Sequence, residues 1–150
     1  MTAAAPAPST TMAASAVDAT KIYGDGDTEV RALDGVTVGF EEGRFSAIMG
    51  PSGSGKSTLM HCLAGLDELS AGKVFLGDID LTELSERQLT LLRREQIGFV
   101  FQAFNLIPTL SALENITLPM SLSGSAPDQE WLDEVVTTVG LGDRLSHRPN

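Results

Sequence analysis

Apolar residues recur along the chain with two different periods, and the change of period separates predicted strands from predicted helices. Val36, Val38 and Phe40 alternate with other residues between turn-forming segments, as expected of a strand with one buried face. Shorter apolar runs bounded by glycine and charged residues indicate further strands. The pattern predicts strands over residues 16–23, 30–40, 44–49, 73–76 and 97–101.

Helical spacing and capping residues predict four helices. Leu59, Met60, Leu63 and Leu66 lie at helical spacing within residues 56–66. Ser–x–x–Gln and Ser–x–x–Glu sequences are typical of helix starts, and they predict helices at residues 85–95 and 111–117. The last predicted helix covers residues 128–139, after a proline and before a glycine. The whole pattern predicts an α/β lobe followed by a mostly helical segment.

One short stretch between a predicted strand and a predicted helix matches the phosphate-binding pattern G-x-x-x-x-G-K-[ST] in full. Its residues are Gly50, Pro51, Ser52, Gly53, Ser54, Gly55, Lys56 and Ser57. The alternative reading is a glycine- and serine-rich turn that precedes a helix without binding anything. Strand, glycine loop and helix follow in the order that a phosphate site requires, so we predict that the chain binds a nucleoside triphosphate.

The residue types of this loop suit polyphosphate chemistry. Glycine lacks the Cβ atom that would keep backbone N–H groups away from phosphate oxygens, and the following helix directs its positive end at them. We expect Lys56 to place its ammonium on the β- and γ-phosphates and the Ser57 hydroxyl to ligate Mg²⁺. The predicted cofactors are therefore ATP and Mg²⁺.

Composition narrows the choice of partner. Twenty acidic residues against ten basic ones give a net charge of −10, which argues against a nucleic-acid partner. No apolar run approaches the ~20 residues needed to cross a bilayer, so direct membrane insertion is not expected. The one cysteine, Cys62, excludes an internal disulfide and is expected to pack inside the protein.

The same features predict three segments. Residues 1–15 carry no charged side chain and lack the pattern of a secretory signal, so we expect a disordered tail. Residues 16–101 form the predicted nucleotide-binding α/β lobe. Residues 102–150 form the predicted helical segment, beginning with the loop at Gln102.

Three stretches carry a resemblance to the ATP-binding subunits of ABC transporters. They are residues 31–36 (RALDGV), the phosphate loop continued through Thr58, and residues 97–102 (IGFVFQ). The resemblance covers residues 17–150 and implies a P-loop NTPase core of the ABC ATPase type. It also implies antiparallel strands at the N-terminus, the beginning of a helical subdomain and a sheet left incomplete at Asn150. Residues 104–110 and 114–119 resemble the subgroup that drives lipoprotein-releasing, macrolide or peptide exporters and the related cell-division complex.

The resemblance assigns roles to two residues outside the loop. Tyr23 matches an aromatic residue that stacks on adenine, and the alternative is a tyrosine in a core or turn. Gln102 matches a glutamine that reaches Mg²⁺ and the attacking water and whose loop senses the permease. The alternative for Gln102 is an ordinary polar residue at the end of a strand. Lys56 and Gln102 are thus the catalytic candidates, and Ser57 and Gln102 the metal ligands.

Other segments carry weaker signals. The apolar side chains within residues 104–110 suit either a partner surface or packing inside the helical segment. His61 is expected to pack or to face solvent, and His147 has no metal-ligand spacing. The sequence at residues 122–126 (LSGSA) lacks the second glycine and the glutamine of the family's signature, so a loop is expected there.

Three parts of the family's hydrolytic machinery are absent from these 150 residues: the signature sequence, an apolar strand ending in Asp–Glu, and a later histidine. The expectation is a portion of a longer protein; the alternative is a degraded relative. By resemblance, two complete subunits close around two Mg·ATP, pull on a permease through the Gln102 region and reopen after hydrolysis. These residues alone are expected to bind ATP without hydrolysing it.

The expected location is cytoplasmic, peripheral on the inner face of the cell membrane, in a homodimer or paired with another ABC subunit. The rival functions are a soluble ABC-type ATPase without a permease, a regulatory module that binds nucleotide without hydrolysis, and a small-molecule kinase. The kinase hypothesis does not account for Gln102 and the segment that follows it.

Overall fold

The structure is a computed structural model that describes residues 11–149. These residues divide into two compact units, with the division between Arg93 and Arg94. Each unit is described by itself. Residues 1–10 of the predicted tail, which covers residues 1–15, lie outside the described residues.

The first unit is built on a four-stranded antiparallel sheet with the order β2-β1-β3-β4. The strands are β1 (Met12–Tyr23), β2 (Val30–Glu41), β3 (Ala71–Leu76) and β4 (Ile79–Asp80), with helix α1 (Lys56–Leu63) between β2 and β3. Helix α2 (Glu86–Gln96) runs across the division between the units. Short 3-10 turns occupy Gly26–Thr28 and Leu81–Glu83.

Strand β1 is central because it pairs with β2 on one side and with β3 on the other. Ala16 faces Val38 of β2 and Val74 of β3, and it is completely buried. Helix α1 packs its apolar side against this sheet, where Cys62 is buried as expected. The buried core consists of Ala16, Ala19, Leu33, Leu59, Cys62, Leu63, Val74, Leu81 and Leu89. This core supports the loop that precedes α1.

Strand β1 begins earlier than the sequence pattern indicates. Met12–Ser15, which we assigned to the disordered tail, are strand residues: Ala14 pairs with Phe40, and Ser15 with Gly39. Ala14 and Ser15 also pair with β3. Their small side chains show no strand periodicity, and hydrogen bonding on both sides keeps them in the sheet.

Two predicted strands are absent. Residues 44–49 and 97–101 have irregular backbone, and no described segment pairs with them. Phe45 and Val100, predicted to be buried, are fully exposed. An apolar run becomes a buried strand only where neighbouring strands supply hydrogen bonds and cover both faces. These two predictions are therefore wrong for the described structure.

The second unit is helical, as predicted, with α3 (Ala112–Ser123), α4 (Gln129–Thr138) and a 3-10 turn at Gly142–Arg144. Ser111 accepts a hydrogen bond from the Glu114 N–H while the Glu114 carboxylate accepts one from the Ser111 N–H, so the predicted capping box is confirmed. Helix α3 runs past the predicted end at residue 117 and contains Pro119. Leu122 and Ser123 form its last turn rather than the predicted loop, and Gly124 ends it in a left-handed conformation.

Candidate nucleotide-binding site

The glycine loop lies directly before α1 and its backbone packs against β2. Gly55 is the residue preceding the helix, with a φ of 82° that favours glycine. A Cβ atom at Gly55 would overlap the carbonyl oxygen of Ala32, and one at Gly50 would lie 2.8 Å from the Ser54 hydroxyl. At Gly55 the overlap is with backbone and the φ is left-handed, so this position requires the absence of a side chain, as a loop that presents its backbone to phosphate does.

The side chain of Lys56 folds back into the loop. Its Nζ donates to the Pro51 carbonyl at 2.6 Å and lies 3.4 Å from the Ser54 hydroxyl. Because these partners are neutral, the ammonium charge has no counter-ion among them. The loop thus places a positive charge beside its own backbone, where an anion is stabilised.

The first turn of α1 adds N–H donors to the same place. The helical ladder begins with the Leu59 N–H donating to the Gly55 carbonyl at 2.8 Å. The N–H groups in the first turn of a helix have no partner within the helix, and its N-terminus carries partial positive charge. Ser57 is exposed at this end, so its hydroxyl is accessible to a ligand.

A shallow cleft of about 280 Å³ opens over this loop. It is lined by Val30, Arg31, Ala32, Ser52, Gly53, Gly55, Lys56, Ser57 and Thr58. Residues 31–36 carry part of the family resemblance, but the sequence assigns Arg31 no role in binding. Arg31 belongs to β2 and pairs with Asp34 at 2.8 Å. Its place in the cleft follows from the sheet, which brings β2 against the loop.

The loop is compatible with Mg·ATP. It offers an open glycine backbone, the Lys56 ammonium and the exposed hydroxyls of Ser52, Ser54 and Ser57. Mg²⁺ in P-loop sites takes ligands from substrate phosphates and waters as well as from the protein. Among residues 11–149 no cluster of three or more His, Cys, Asp or Glu side chains could hold a metal without such a ligand.

Tyr23, the predicted base-stacking residue, lies at the end of β1 in a polar cluster. Its hydroxyl donates to Asp67 Oδ2 at 2.5 Å, and Lys21 Nζ lies 2.5 Å from Asp67 Oδ1. Hydrogen bonding to Asp67 raises the pKa of both Tyr23 and Lys21. Partial burial acts to raise the pKa of Asp67, but the hydrogen bonds from Lys21 and Tyr23 outweigh it and the pKa lies below its ordinary value. The tyrosine side chain remains 40% exposed.

Gln102 belongs to the second unit, where it lies exposed in a turn. The turn continues through Phe104 and Asn105, whose φ angles of 56° and 49° are left-handed. The predicted role of Gln102 as a metal ligand stays a prediction, since it belongs to a different unit from the phosphate loop.

The segment after Gln102 is exposed but held in place. Phe104, Leu106 and Ile107 all expose much of their side chains. The side chain of Asn115, on α3, accepts from the Ile107 N–H at 2.8 Å and donates to the carbonyls of Ile107, Leu110 and Ser111. One amide therefore ties the second half of this apolar segment, from Ile107 to Leu110, to α3.

The two histidines lie outside the loop. His61 is exposed near the end of α1, and His147 is exposed in the second unit. Cys62 is buried, and burial raises the pKa of its thiol. A buried, protonated thiol is a packing group rather than a nucleophile.

Comparison with known proteins identifies the family. A sequence profile described as "ABC transporter" matches residues 33–150, which include the glycine loop and Gln102. The chain belongs to the ABC transporter family of ATP-binding proteins. The predicted family and the α/β ABC ATPase fold class are confirmed.

Relatives at high identity include lipoprotein-releasing and macrolide-export proteins, the subgroup that the sequence indicated. An uncharacterized ABC transporter ATP-binding protein of Thermotoga maritima is 48% identical over 137 residues, 89% of this chain and 58% of the relative. The lipoprotein-releasing system ATP-binding protein LolD of Legionella pneumophila (strain Paris) is 44% identical over 86% of this chain and 58% of its own length. The macrolide export ATP-binding/permease protein MacB of Marinobacter nauticus is 45% identical over 88% of this chain and 21% of its own length.

Solved structures of an ABC transporter cassette share the fold of this chain. The dimeric structure of the bacterial ABC transporter cassette MJ0796 is 38% identical, covers 91% of this chain and 62% of its own, and superposes with a TM-score of 0.80. A post-hydrolysis dimer of the same cassette bound to ADP and Pi gives 0.79. The chain spans less than two thirds of the length of these proteins. Within residues 11–149, no helix is both long and apolar enough to cross a membrane.

Proposed function

We propose that the full-length protein binds ATP with Mg²⁺ and hydrolyses it to drive a membrane permease. The observation that carries the proposal is the glycine loop before α1, in which the Lys56 ammonium lies beside backbone that only glycine can form. Membership of the ABC transporter family supports the nucleotide and the coupling to transport.

In the proposed site, Gly50, Gly53 and Gly55 let the loop's N–H groups approach the β- and γ-phosphates. Lys56 moves its ammonium from the Pro51 carbonyl to the phosphate oxygens, so that binding exchanges a neutral acceptor for a charged one. Ser57 holds its hydroxyl toward the metal, and Gln102 is the proposed second protein ligand and orients the attacking water. Bound Mg²⁺ neutralises phosphate charge as it develops in phosphoryl transfer.

Tyr23 is the proposed contact with the base, and Pro51, Ser52, Ser54 and Thr58 of the phosphate loop are the remaining proposed contacts with the nucleotide. The exposed tyrosine ring offers a flat surface on which adenine stacks. Stacking accepts any base, so this contact favours ATP only modestly.

We propose that two ATP-binding subunits pair and that the segment after Gln102 contacts the permease. The dimeric MJ0796 structures support pairing. The names of LolD and MacB support a lipoprotein-releasing or exporting system as the machinery served. The proposed location is accordingly cytoplasmic, peripheral on the inner face of the cell membrane.

Two alternative functions are compatible with membership of the family: a soluble ABC-type ATPase without a permease, and a regulatory module that binds nucleotide without hydrolysis. A soluble ABC ATPase that works on nucleic acid requires a basic surface, and the net charge of −10 argues against one. A regulatory module that binds ATP without hydrolysing it is distinguished by the absence of phosphate release from the full-length protein.

Lys56→Ala tests the proposal. We expect the full-length variant to fold and to release phosphate from ATP at background rate, because the ammonium that compensates transition-state charge is gone. Phosphate release and thermal unfolding are measured together. A folded Lys56→Ala protein with undiminished hydrolysis would contradict the assignment.

Ser57→Ala is the companion variant: we expect it chiefly to raise the Mg²⁺ concentration needed for half-maximal activity, since a ligand is lost while the backbone cradle remains.

A further inference from the structure

The carboxylate of Asp67, to which no sequence motif assigns a role, lies between the Tyr23 side chain and the end of helix α1. Asp67 follows α1, the helix that begins with Lys56 and Ser57. The N–H groups of Leu66 and Asp67 both donate to the His61 carbonyl, at 2.8 Å and 3.3 Å, so Asp67 is tied to the last turn of α1. From there its two oxygens reach β1.

The carboxylate holds the Tyr23 side chain by its hydroxyl. Asp67 Oδ2 accepts from the tyrosine at 2.5 Å, while Oδ1 is paired with Lys21 Nζ. Lys21 Nζ also donates to the Glu68 carbonyl at 2.6 Å and lies 4.8 Å from the centroid of the Tyr23 ring. The ammonium therefore secures the carboxylate and lies over the ring at the same time.

These contacts leave the ring available while restricting its motion. Lys21 and Asp67 have mostly buried side chains, with 13% and 26% exposed, whereas Tyr23 is 40% exposed. A side chain fixed before binding loses less conformational entropy when a ligand packs on it. The ring is held from the end of the same helix whose start carries the phosphate site.

We propose that Asp67, secured by Lys21, is a positioning residue for the nucleotide base: it fixes the Tyr23 ring at a set place relative to the phosphate loop. This inference rests on the proposed function. It assigns Asp67 no contact with ATP and no part in phosphoryl transfer.

The test compares two ligands that share phosphates and differ in the base. Affinities for Mg·ATP and for inorganic tripolyphosphate with Mg²⁺ are measured by calorimetry on the full-length protein. Tyr23→Ala is expected to lower the ratio of ATP to tripolyphosphate affinity about tenfold, the usual scale for loss of base stacking. Asp67→Ala removes both hydrogen-bond acceptors, and we expect it to lower that ratio about fivefold while tripolyphosphate binding stays unchanged.

A double-mutant cycle separates positioning from simple support of the fold. In the Tyr23→Ala background, Asp67→Ala is expected to change the ratio no further, because the ring that it positions is gone. Asp67→Asn keeps one oxygen that accepts from the Tyr23 hydroxyl, so it should restore part of the ratio. Tyr23→Phe keeps the ring but loses the hydroxyl, and should resemble Asp67→Ala.

The matched control is Asp80→Ala. Asp80 also pairs with a lysine of the sheet, Lys73 at 2.6 Å, and has a similarly protected side chain with 12% exposed, but it makes no contact with Tyr23. This variant should leave the ratio at its wild-type value. An unchanged ratio in Asp67→Ala, or equal losses of ATP and tripolyphosphate, would overturn the inference.

Failure of the proposed function gives a different result. If wild-type protein binds neither ligand, the phosphate loop is misassigned. If it binds both ligands equally well, the phosphate loop stands and Tyr23 is no base platform, which overturns the inference alone.

Discussion

At the scale of single residues, the candidate site depends on positions where a side chain is excluded as much as on those where one is present. Gly55 combines a left-handed backbone with a contact to the Ala32 carbonyl, and Lys56, its neighbour, supplies the only charge in the loop. Without the backbone conformation of Gly55, the Lys56 ammonium has no fixed position in the loop. Geometry and charge are thus set by two consecutive residues.

Gly55→Ala is therefore expected to damage both stability and binding. The left-handed conformation costs a residue other than glycine roughly 1–3 kcal/mol, and the overlap with Ala32 adds to it by forcing the loop away from β2. Chemical denaturation should show the loss, and calorimetry a weaker affinity for Mg·ATP. Gly98→Ala is the control: its φ is not left-handed and its Cβ would meet nothing. Equal stability of the two variants would contradict the argument.

At the scale of elements, the second unit exposes apolar side chains on the loop between Gln102 and α3. The capping box starts α3, and Asn115, near the start of that helix, binds the segment that follows Gln102. The segment's apolar side chains remain exposed despite these bonds. A loop whose apolar side chains face solvent while its backbone is hydrogen-bonded to a helix is suited to contact a partner.

Replacing Leu106 and Ile107 together by serine should weaken association with the permease while leaving nucleotide binding nearly intact. A minority of central, well-packed interface residues cost more than about 1 kcal/mol each when truncated, and for two such residues the combined effect is roughly tenfold or more. Co-purification with the permease and ATP affinity are the measurements. The control replaces Leu122 and Val139, which are also exposed, by serine. Unchanged association together with lower stability would place Leu106 and Ile107 in the unit's own packing.

At the scale of the whole molecule, apolar segments without partners are the prominent feature. Phe45 and Met49 in the first unit, and Val100 in the second, are exposed on irregular backbone. Their sequences are those of buried strands, and unpaired strand-like segments promote association between chains. The described residues thus contain apolar surface that their own sheet does not cover.

A polypeptide of residues 1–150 made alone is expected to aggregate or to unfold without cooperativity, and to release no phosphate above background. Unpaired apolar segments remove burial that a marginally stable fold requires. Lys56, Ser57 and Gln102 are the proposed phosphate and metal contacts, but none of the described strands ends in the Asp–Glu pair that would supply a base. Light scattering, thermal unfolding and phosphate release test this. A monodisperse, cooperatively unfolding polypeptide that turns over ATP would show that its catalytic groups lie elsewhere.

The sequence by itself determined the features that depend on neighbours along the chain. Strands β1 and β2, the Ser111–Glu114 capping box and helix α4 follow from period and capping, which act over a few residues. The sequence also predicted the phosphate-binding loop, because the residues that would bind phosphate are consecutive along the chain. Family and fold class followed from the same motifs.

The tertiary structure decided whatever needed a distant partner. Residues 44–49 and 97–101 have the composition of strands, yet no described strand pairs with them, and pairing is a property of two segments. Met12–Ser15 lack the pattern but are strand residues because β2 and β3 flank them. Asp67 reaches Tyr23 across 44 positions of sequence. No local pattern marks such a contact, since only the packing of α1 against the sheet brings the two side chains together.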